Sequence, residues 1–222
     1  MNRRLLLLIG FLQGAAYSAV LAQPRATPYA LVDAAARGDL VQVRALLERG
    51  ADVEQRDSNG RTAIIAATDG NHLAVVRALI TRGADVNAQD RQQDSAFLLA
   101  GARGHAEIVR ATLAAGADLK STNRFGGTAL IPACHYGHVE TVRLLLTTAI
   151  DVDHVNRLGW TALLEAVILG DGGTAHQEIV NMLIARKADV NLADRQGATP
   201  LAHARQRGQD AVERLLLAAG AR

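Results

Sequence analysis

Gly50-Ala51-Asp52-Val53, Gly83-Ala84-Asp85-Val86, Gly116-Ala117-Asp118-Leu119, Ala149-Ile150-Asp151-Val152 and Lys187-Ala188-Asp189-Val190 are five versions of one phrase. Their aspartates stand 33, 33, 33 and then 38 residues apart. A recurrence near 33 residues marks a stack of like units and sets the fold before local propensity is consulted.

Around these phrases the chain divides into six units at about 29–56, 57–89, 90–122, 123–155, 156–193 and 194–222. The last five open on Asp57, Asp90, Asn123, Asn156 and Asp194. Each unit reads as a turn, a short helix, a tight reversal, a longer helix and a loop. In the second, Asn59-Gly60 is turn chemistry and Thr62 is placed to cap a helix over 63–68. Asn71 reverses the chain, a longer helix runs over 73–80, and Gly83 supplies the left-handed residue that ends it. In the long helices Val43, Leu46 and Leu47 recur as Val76, Leu79 and Ile80, then Val109, Thr112 and Leu113, then Val142, Leu145 and Leu146. Spacing of three and four puts each set on one helical face. One unit has too few such residues to offset its ordering entropy, so neighbours must bury the face jointly. With only 3 Phe, 3 Tyr and 1 Trp in the chain, that core is built from Leu, Ile, Val and Ala.

These residues resemble the ankyrin repeat family. The Asp, turn Gly, Thr-x-Leu, Gly-His, Glu-Ile-Val, Leu-Leu and Gly-Ala-Asp-Val pattern is visible over 123–152 and cleanest at Gly104-His105-Ala106-Glu107-Ile108-Val109. The resemblance implies an all-α solenoid of six stacked helix-turn-helix repeats. Its turns project sideways and it has a concave face. It also implies a scaffold that binds other proteins and is not an enzyme.

Departures from the pattern locate irregularity. The family's first histidine position holds Ile65, Leu98, Ile131, Leu164 and Ala202, while the second is kept as His72, His105, His138 and His176, read as structural bridges between repeats. Gln93 replaces the turn Gly seen at 60, 126, 159 and 197. Ala149 and Lys187 replace the helix-ending Gly, and a non-Gly residue in the left-handed region costs about 1 kcal/mol or more. Pro132 falls near the first turn of a short helix, where it removes a donor. Five extra residues near 170–175 separate the helices of the fifth repeat.

Residues 1–22 stand apart from the repeats. Met1-Asn2-Arg3-Arg4 is a basic start, 5–12 an apolar run, and Val20-Leu21-Ala22 a signal-peptidase site, so the expectation is a cleaved signal peptide, a short linker at 23–28 and export to the periplasm. The apolar run is short of the ~20 residues a membrane span needs. The chain carries 24 Lys and Arg against 22 Asp and Glu; the segment 1–22 holds two Arg and no acid, which leaves 22 against 22. A neutral mature protein gives no electrostatic case for nucleic acid. Cys134 is the single cysteine and has no disulfide partner within the chain.

Metal and catalytic chemistry find little support. Cys134-His135-Tyr136-Gly137-His138 brings a thiol near two imidazoles, yet Cys134 falls on a core position and His138 on the structural column, leaving His135 as the one unexplained group. Asp33, Glu165 and His203 share one point in three different short helices, too far apart to cooperate. No nucleophile elbow, phosphate loop or His-Glu-x-x-His motif is present. No cofactor or metal is expected.

The expected partner is another protein, bound by a monomer through the concave side and turn tips of repeats three to five. Arg91, Arg124, Arg157 and Arg195 form a column at the tips, read either as a ladder for an acidic partner or as internal pairs with tip carboxylates. Phe125, Tyr136 and Trp160 fall on variable positions of the fourth and fifth repeats, with His135, Leu158, Ile168 and Leu169 beside them. Aromatic side chains dominate binding hot spots, so these residues mark the expected interface; the alternative is that Phe125 and Trp160 only pack on each other. An adaptor, with stress protection as one setting, and an inhibitor of a toxic enzyme are the two functional expectations.

Overall fold

Among the described residues, twelve helices build the stack: α1 (Ala30–Ala36), α2 (Leu40–Glu48), α3 (Ala63–Asp69), α4 (Leu73–Thr81), α5 (Ala96–Arg103), α6 (Ala106–Ala114), α7 (Leu130–His135), α8 (Val139–Leu145), α9 (Ala162–Ile168), α10 (Thr174–Ala185), α11 (Pro200–Gln206) and α12 (Asp210–Ala218). They belong to a computed structural model that describes residues 28–222. The expected signal segment 1–22 and all but the last residue of the 23–28 linker lie outside those residues.

Within each repeat the two helices pack as a pair. Short helices stack on short (α1, α3, α5, α7, α9, α11) and long on long (α2, α4, α6, α8, α10, α12), which gives two layers. Leu31, Ile64, Phe97, Leu130, Leu163 and Leu201 form one buried column through the short helices. Leu79, Thr112, Leu145, Leu183 and Leu216 form another through the long ones. Thr112 is tolerated there because its hydroxyl donates within its own helix, to Ile108 O and Val109 O at 3.0 Å.

The periodic Asp and Asn residues that open the repeats are backbone clamps. Asp57 Oδ1 accepts from Asn59 N and Arg61 N, and Asp90, Asn123, Asn156 and Asp194 each accept from the same two positions of their own tips. A second ladder links neighbouring repeats: Asp85 N donates to Glu54, Asp118 N to Asn87 and Asp189 N to Asp153, at 2.8 to 2.9 Å. The rung for Asp151 N would come from Lys120, whose side chain has no acceptor, so the ladder breaks between repeats three and four.

Several sequence expectations are corrected here. Thr62 starts α3, but its hydroxyl makes no cap and is buried without a partner, whereas Ser95, Thr161 and Thr199 do cap Leu98, Leu164 and Ala202. Lys187 is left-handed as expected, at φ 64°, and so is Gln93 at 60°. Ala149 is not, because repeat four ends its helix early and closes it through Thr147 and Thr148 onto Leu144 and Leu145. Pro132 deprives Thr128 O of the bond that Thr62, Ser95, Thr161 and Thr199 carbonyls receive, and Ile131 N turns to it at 3.3 Å instead.

The histidine column is mostly as expected. His72, His138 and His176 donate from Nε2 to Ala36, Ala102 and His135 carbonyls at 2.9 to 3.1 Å, reaching back one repeat. The His105 ring makes no such bond, and among the described residues its buried Nε2 has no partner. Asn71 stands where Gly38, Gly104 and Gly137 precede the bridging histidines; a Cβ would meet the incoming ring at 2.5 to 2.6 Å at the first two and at 3.4 Å at the third, so the Asn71 side chain narrows the space that the His105 ring would enter. Burial, then Arg103 and His138, lowers the His105 pKa.

Candidate partner-binding groove

Repeats three to five enclose a groove of about 960 Å³ between the turn tips and the short helices α7 and α9. Its rim carries Phe125 at 48% exposure and Tyr136 at 60%, with Leu158 and Leu169 also exposed. Ile131 and Pro132 line it from α7. The Tyr136 ring stacks on His135 with centroids 4.1 Å apart, and Arg124 lies 4.6 Å over the Phe125 ring.

The floor holds a buried acid. Glu165 sits in α9, a helix that Thr161 starts by capping Leu164 N at 3.2 Å. The residue is 7% exposed. Asn156, whose Oδ1 clamps its own tip, uses Nδ2 to donate to Glu165 Oε1 at 2.9 Å. Glu165 Oε2 faces His135 Nδ1 at 3.8 Å, beyond hydrogen-bond reach. Burial pushes the Glu165 carboxyl up to about 7 despite the Asn156 bond, which acts the other way. His135 is lowered by burial and then by His176. Cys134 is wholly buried behind this floor, and burial followed by the Glu165 charge pushes its thiol up, so it is an inert core residue.

Six of the ten residues expected at the interface meet in the groove: Arg124, Phe125, His135, Tyr136, Leu158 and Leu169. Arg91, Arg157, Trp160 and Ile168 do not line it. Trp160 is half-buried and makes no ring pair with Phe125 among the described residues, so the packing of the two rings on each other is not formed. Ile168 belongs instead to a smaller hollow of about 520 Å³ against repeat six.

The arginine column is built on glycine. A Cβ on Gly60, Gly126 or Gly159 would meet the side chain of Arg91, Arg157 or Arg195 at 2.5 to 3.2 Å, so each arginine lies across the glycine of the tip before it. Arg157 Nη1 also donates to Arg124 O at 2.8 Å. Of the two readings of the column, internal pairing with tip carboxylates is therefore not the one formed at Arg91, Arg157 or Arg195 among the described residues. Arg124 alone follows a tip without that glycine, since Gln93 stands there; it hydrogen-bonds Gln92 and rests on Phe125 at the groove rim.

The fifth-repeat insertion also lies outside the groove. It lengthens α10 to 12 residues and places His176 inside the helix rather than at its start. Asp171 Oδ1 accepts from Gly173 N and pairs with His176 Nδ1, both at 2.8 Å, and these bonds hold its carboxyl below the usual range. Gln209 Nε2 and Arg207 bind Gly170 O from repeat six. The extra residues therefore keep the histidine bridge in register. Glu165, Asn156, Asp94 and Arg103 also line the groove, a placement that sequence reasoning missed. One signal points to it: the register of Glu165 is filled by Ala66, Leu99 and Pro132 in the three preceding repeats.

Paired helices, clamped tips and a histidine column define an ankyrin-type repeat stack, and comparison with known proteins agrees. Ankyrin repeats (3 copies) match residues 6–90 and 97–194, so the chain belongs to the ankyrin repeat family. It is similar to an ankyrin repeat domain from Acinetobacter baumannii AYE, with 52% identity and a TM-score of 0.85 over 88% of this chain and 100% of that one. The ankyrin repeat protein EF0377 is 39% identical with a TM-score of 0.81, over 85% of this chain and 96% of that one. A curated relative, the putative ankyrin repeat protein YahD of Escherichia coli (strain K12), is 47% identical over 57 residues, 26% of this chain. That match spans 28% of YahD's length. Repeats of this family are scaffolds for protein–protein interaction and typically have no catalytic role.

Proposed function

We propose that the chain is an exported, periplasmic binding module that holds a partner protein in the groove of repeats three to five. The observation that carries this reading is the rim: two exposed aromatic rings and two exposed leucines surround a hollow floored by a buried polar pair. Large rigid side chains around a recess are the composition of interface hot spots. Export rests on the basic, apolar and small-residue succession over 1–22.

A pull-down from periplasmic extract tests it. Phe125→Ala with Tyr136→Ala is expected to abolish partner capture and leave the helical circular dichroism spectrum unchanged, since neither ring is in the core. Undiminished capture by this double variant overturns the groove, and recovery of the full chain only from the cytoplasmic fraction overturns export.

A further inference from the structure

We propose that the groove receives a lysine or arginine side chain of the partner, with its cationic end held by Glu165. This rests on the reading of the groove as the partner site and names the chemistry it recognises.

The first ground is an acid with no counter-charge. Glu165 is 7% exposed, and only one of its oxygens is hydrogen-bonded, by a neutral amide. The nearest cation-forming group, His135 Nδ1, stands at 3.8 Å, and that imidazole is held toward its neutral form by burial and by His176. Among the described residues Oε2 is therefore an acceptor on the groove floor without a donor. A buried carboxylate left this way is unfavourable unless a cation or donor reaches it.

The rest of the lining is mixed in sign, with Asp94 set against Arg103 and Arg124. Asp94, half-buried on the repeat-three side of the groove, pairs with Asp90 through its backbone, while its carboxylate makes no hydrogen bond or ion pair among the described residues. Burial and then Asp90 push that carboxyl up, against the opposing charges of Arg124 and Arg103. The two arginines present are already engaged: Arg103 with Asp69 at 2.8 Å, and Arg124 with Gln92 and the Phe125 face. Arg124 and Arg103 still act on Asp94 through their charge, so Glu165 is the acid that remains to be matched from outside.

The third ground is the rim. Arg124 over Phe125 shows that this edge already carries a guanidinium on an aromatic face. Tyr136, stacked on His135 but 60% exposed, offers a second ring at the mouth above the acid. A long basic side chain suits such a recess, because its methylenes lie along the rings while its charge reaches the floor.

The test is a random peptide library displayed on phage and panned against the full chain, followed by calorimetry on the selected peptides. Peptides enriched in Lys or Arg are expected. They should lose at least tenfold in affinity with Glu165→Gln, with Tyr136→Ala, or when their own basic residue is replaced by glutamine. Glu165→Gln keeps the Asn156 bond and removes only the charge, so urea melts of the variant should show no loss of stability alongside the loss of binding. Peptides that require Tyr136 yet carry no basic residue, or that bind Glu165→Gln equally well, overturn the cationic anchor and leave the groove reading standing. Selection of peptides indifferent to both Phe125→Ala and Tyr136→Ala overturns both.

Discussion

Repeat two and repeats four and five obey the same plan with different strictness. Repeat two has its turn glycine, its left-handed Gly83 and its rung to Glu54 through Asp85 N. Repeat four lacks the rung from Lys120, gives α8 only 7 residues where α4 has 9, and opens α7 over a proline. Repeat five keeps a lysine in the left-handed region and a carboxylate in its core-facing short helix. The irregular pair is also where the groove lies. Repeat two has departures of its own, a buried Thr62 hydroxyl without a partner among the described residues and Asn71 at φ 56°, but Pro132 and Glu165 of repeats four and five line a recess, as expected where a surface serves binding as well as folding.

Mutation can test that contrast. The largest expected effect is common to both regions: Leu79→Ala and Leu145→Ala each remove a fully buried side chain and should cost about 2–5 kcal/mol in urea unfolding. A much smaller loss at Leu145 would show that repeat four is loosely packed rather than merely short of hydrogen bonds.

Next comes Glu165→Gln. Its folded-state carboxyl titrates near 7 against 4.5 for the free group, so between those values the folded chain holds a proton that the unfolded chain has released. Its contribution is fully favourable below about pH 4.5 and is lost as pH rises through about 7. The glutamine variant should match the parent at pH 4 and exceed it by up to about 3 kcal/mol at pH 8, because each tenfold change in proton affinity on folding corresponds to about 1.4 kcal/mol. Equal stability at both pH values would mean that Glu165 is not held as the buried acid described.

The smaller effects concern the backbone. Lys120→Asn supplies the missing acceptor for Asp151 N and should add about 0.5–1.5 kcal/mol, while removing the matching acceptor in Asn87→Ala should cost a similar amount. Lys187→Gly relieves a left-handed side chain and should add about 1 kcal/mol; Ala149→Gly should add nothing, because Ala149 is not left-handed. A gain at 149 equal to that at 187 would contradict the early ending of α8.

The stack is legible in the sequence because its signals are local and repeated: the aspartates that clamp each tip, the glycines that end helices, the Val and Leu faces. Gln93 and Lys187 are legible for the same reason, since each stands where the other repeats carry glycine and both are left-handed. What one repeat does to the next is not legible in this way. Ala149 escapes strain because Thr147 and Thr148 close the helix before it, and the space for the His105 ring is narrowed by a side chain 34 positions back at Asn71. For Trp160, position on a tip does not reveal that the side chain stands outside the groove lining. Glu165 hides because its importance lies in what fails to reach it, a property of neighbouring α7 and the tip at Asn156.

Site-specific photo-crosslinking in living cells probes the groove itself. A photoreactive phenylalanine analogue placed at Tyr136, in the groove, is compared with one at Val41, which is 81% exposed on repeat one. Partner binding in the groove predicts a discrete crosslinked protein at position 136, absent at 41 and lost when Glu165→Gln is added. The same adduct from both positions, or from position 41 alone, would place the partner elsewhere and refute the groove.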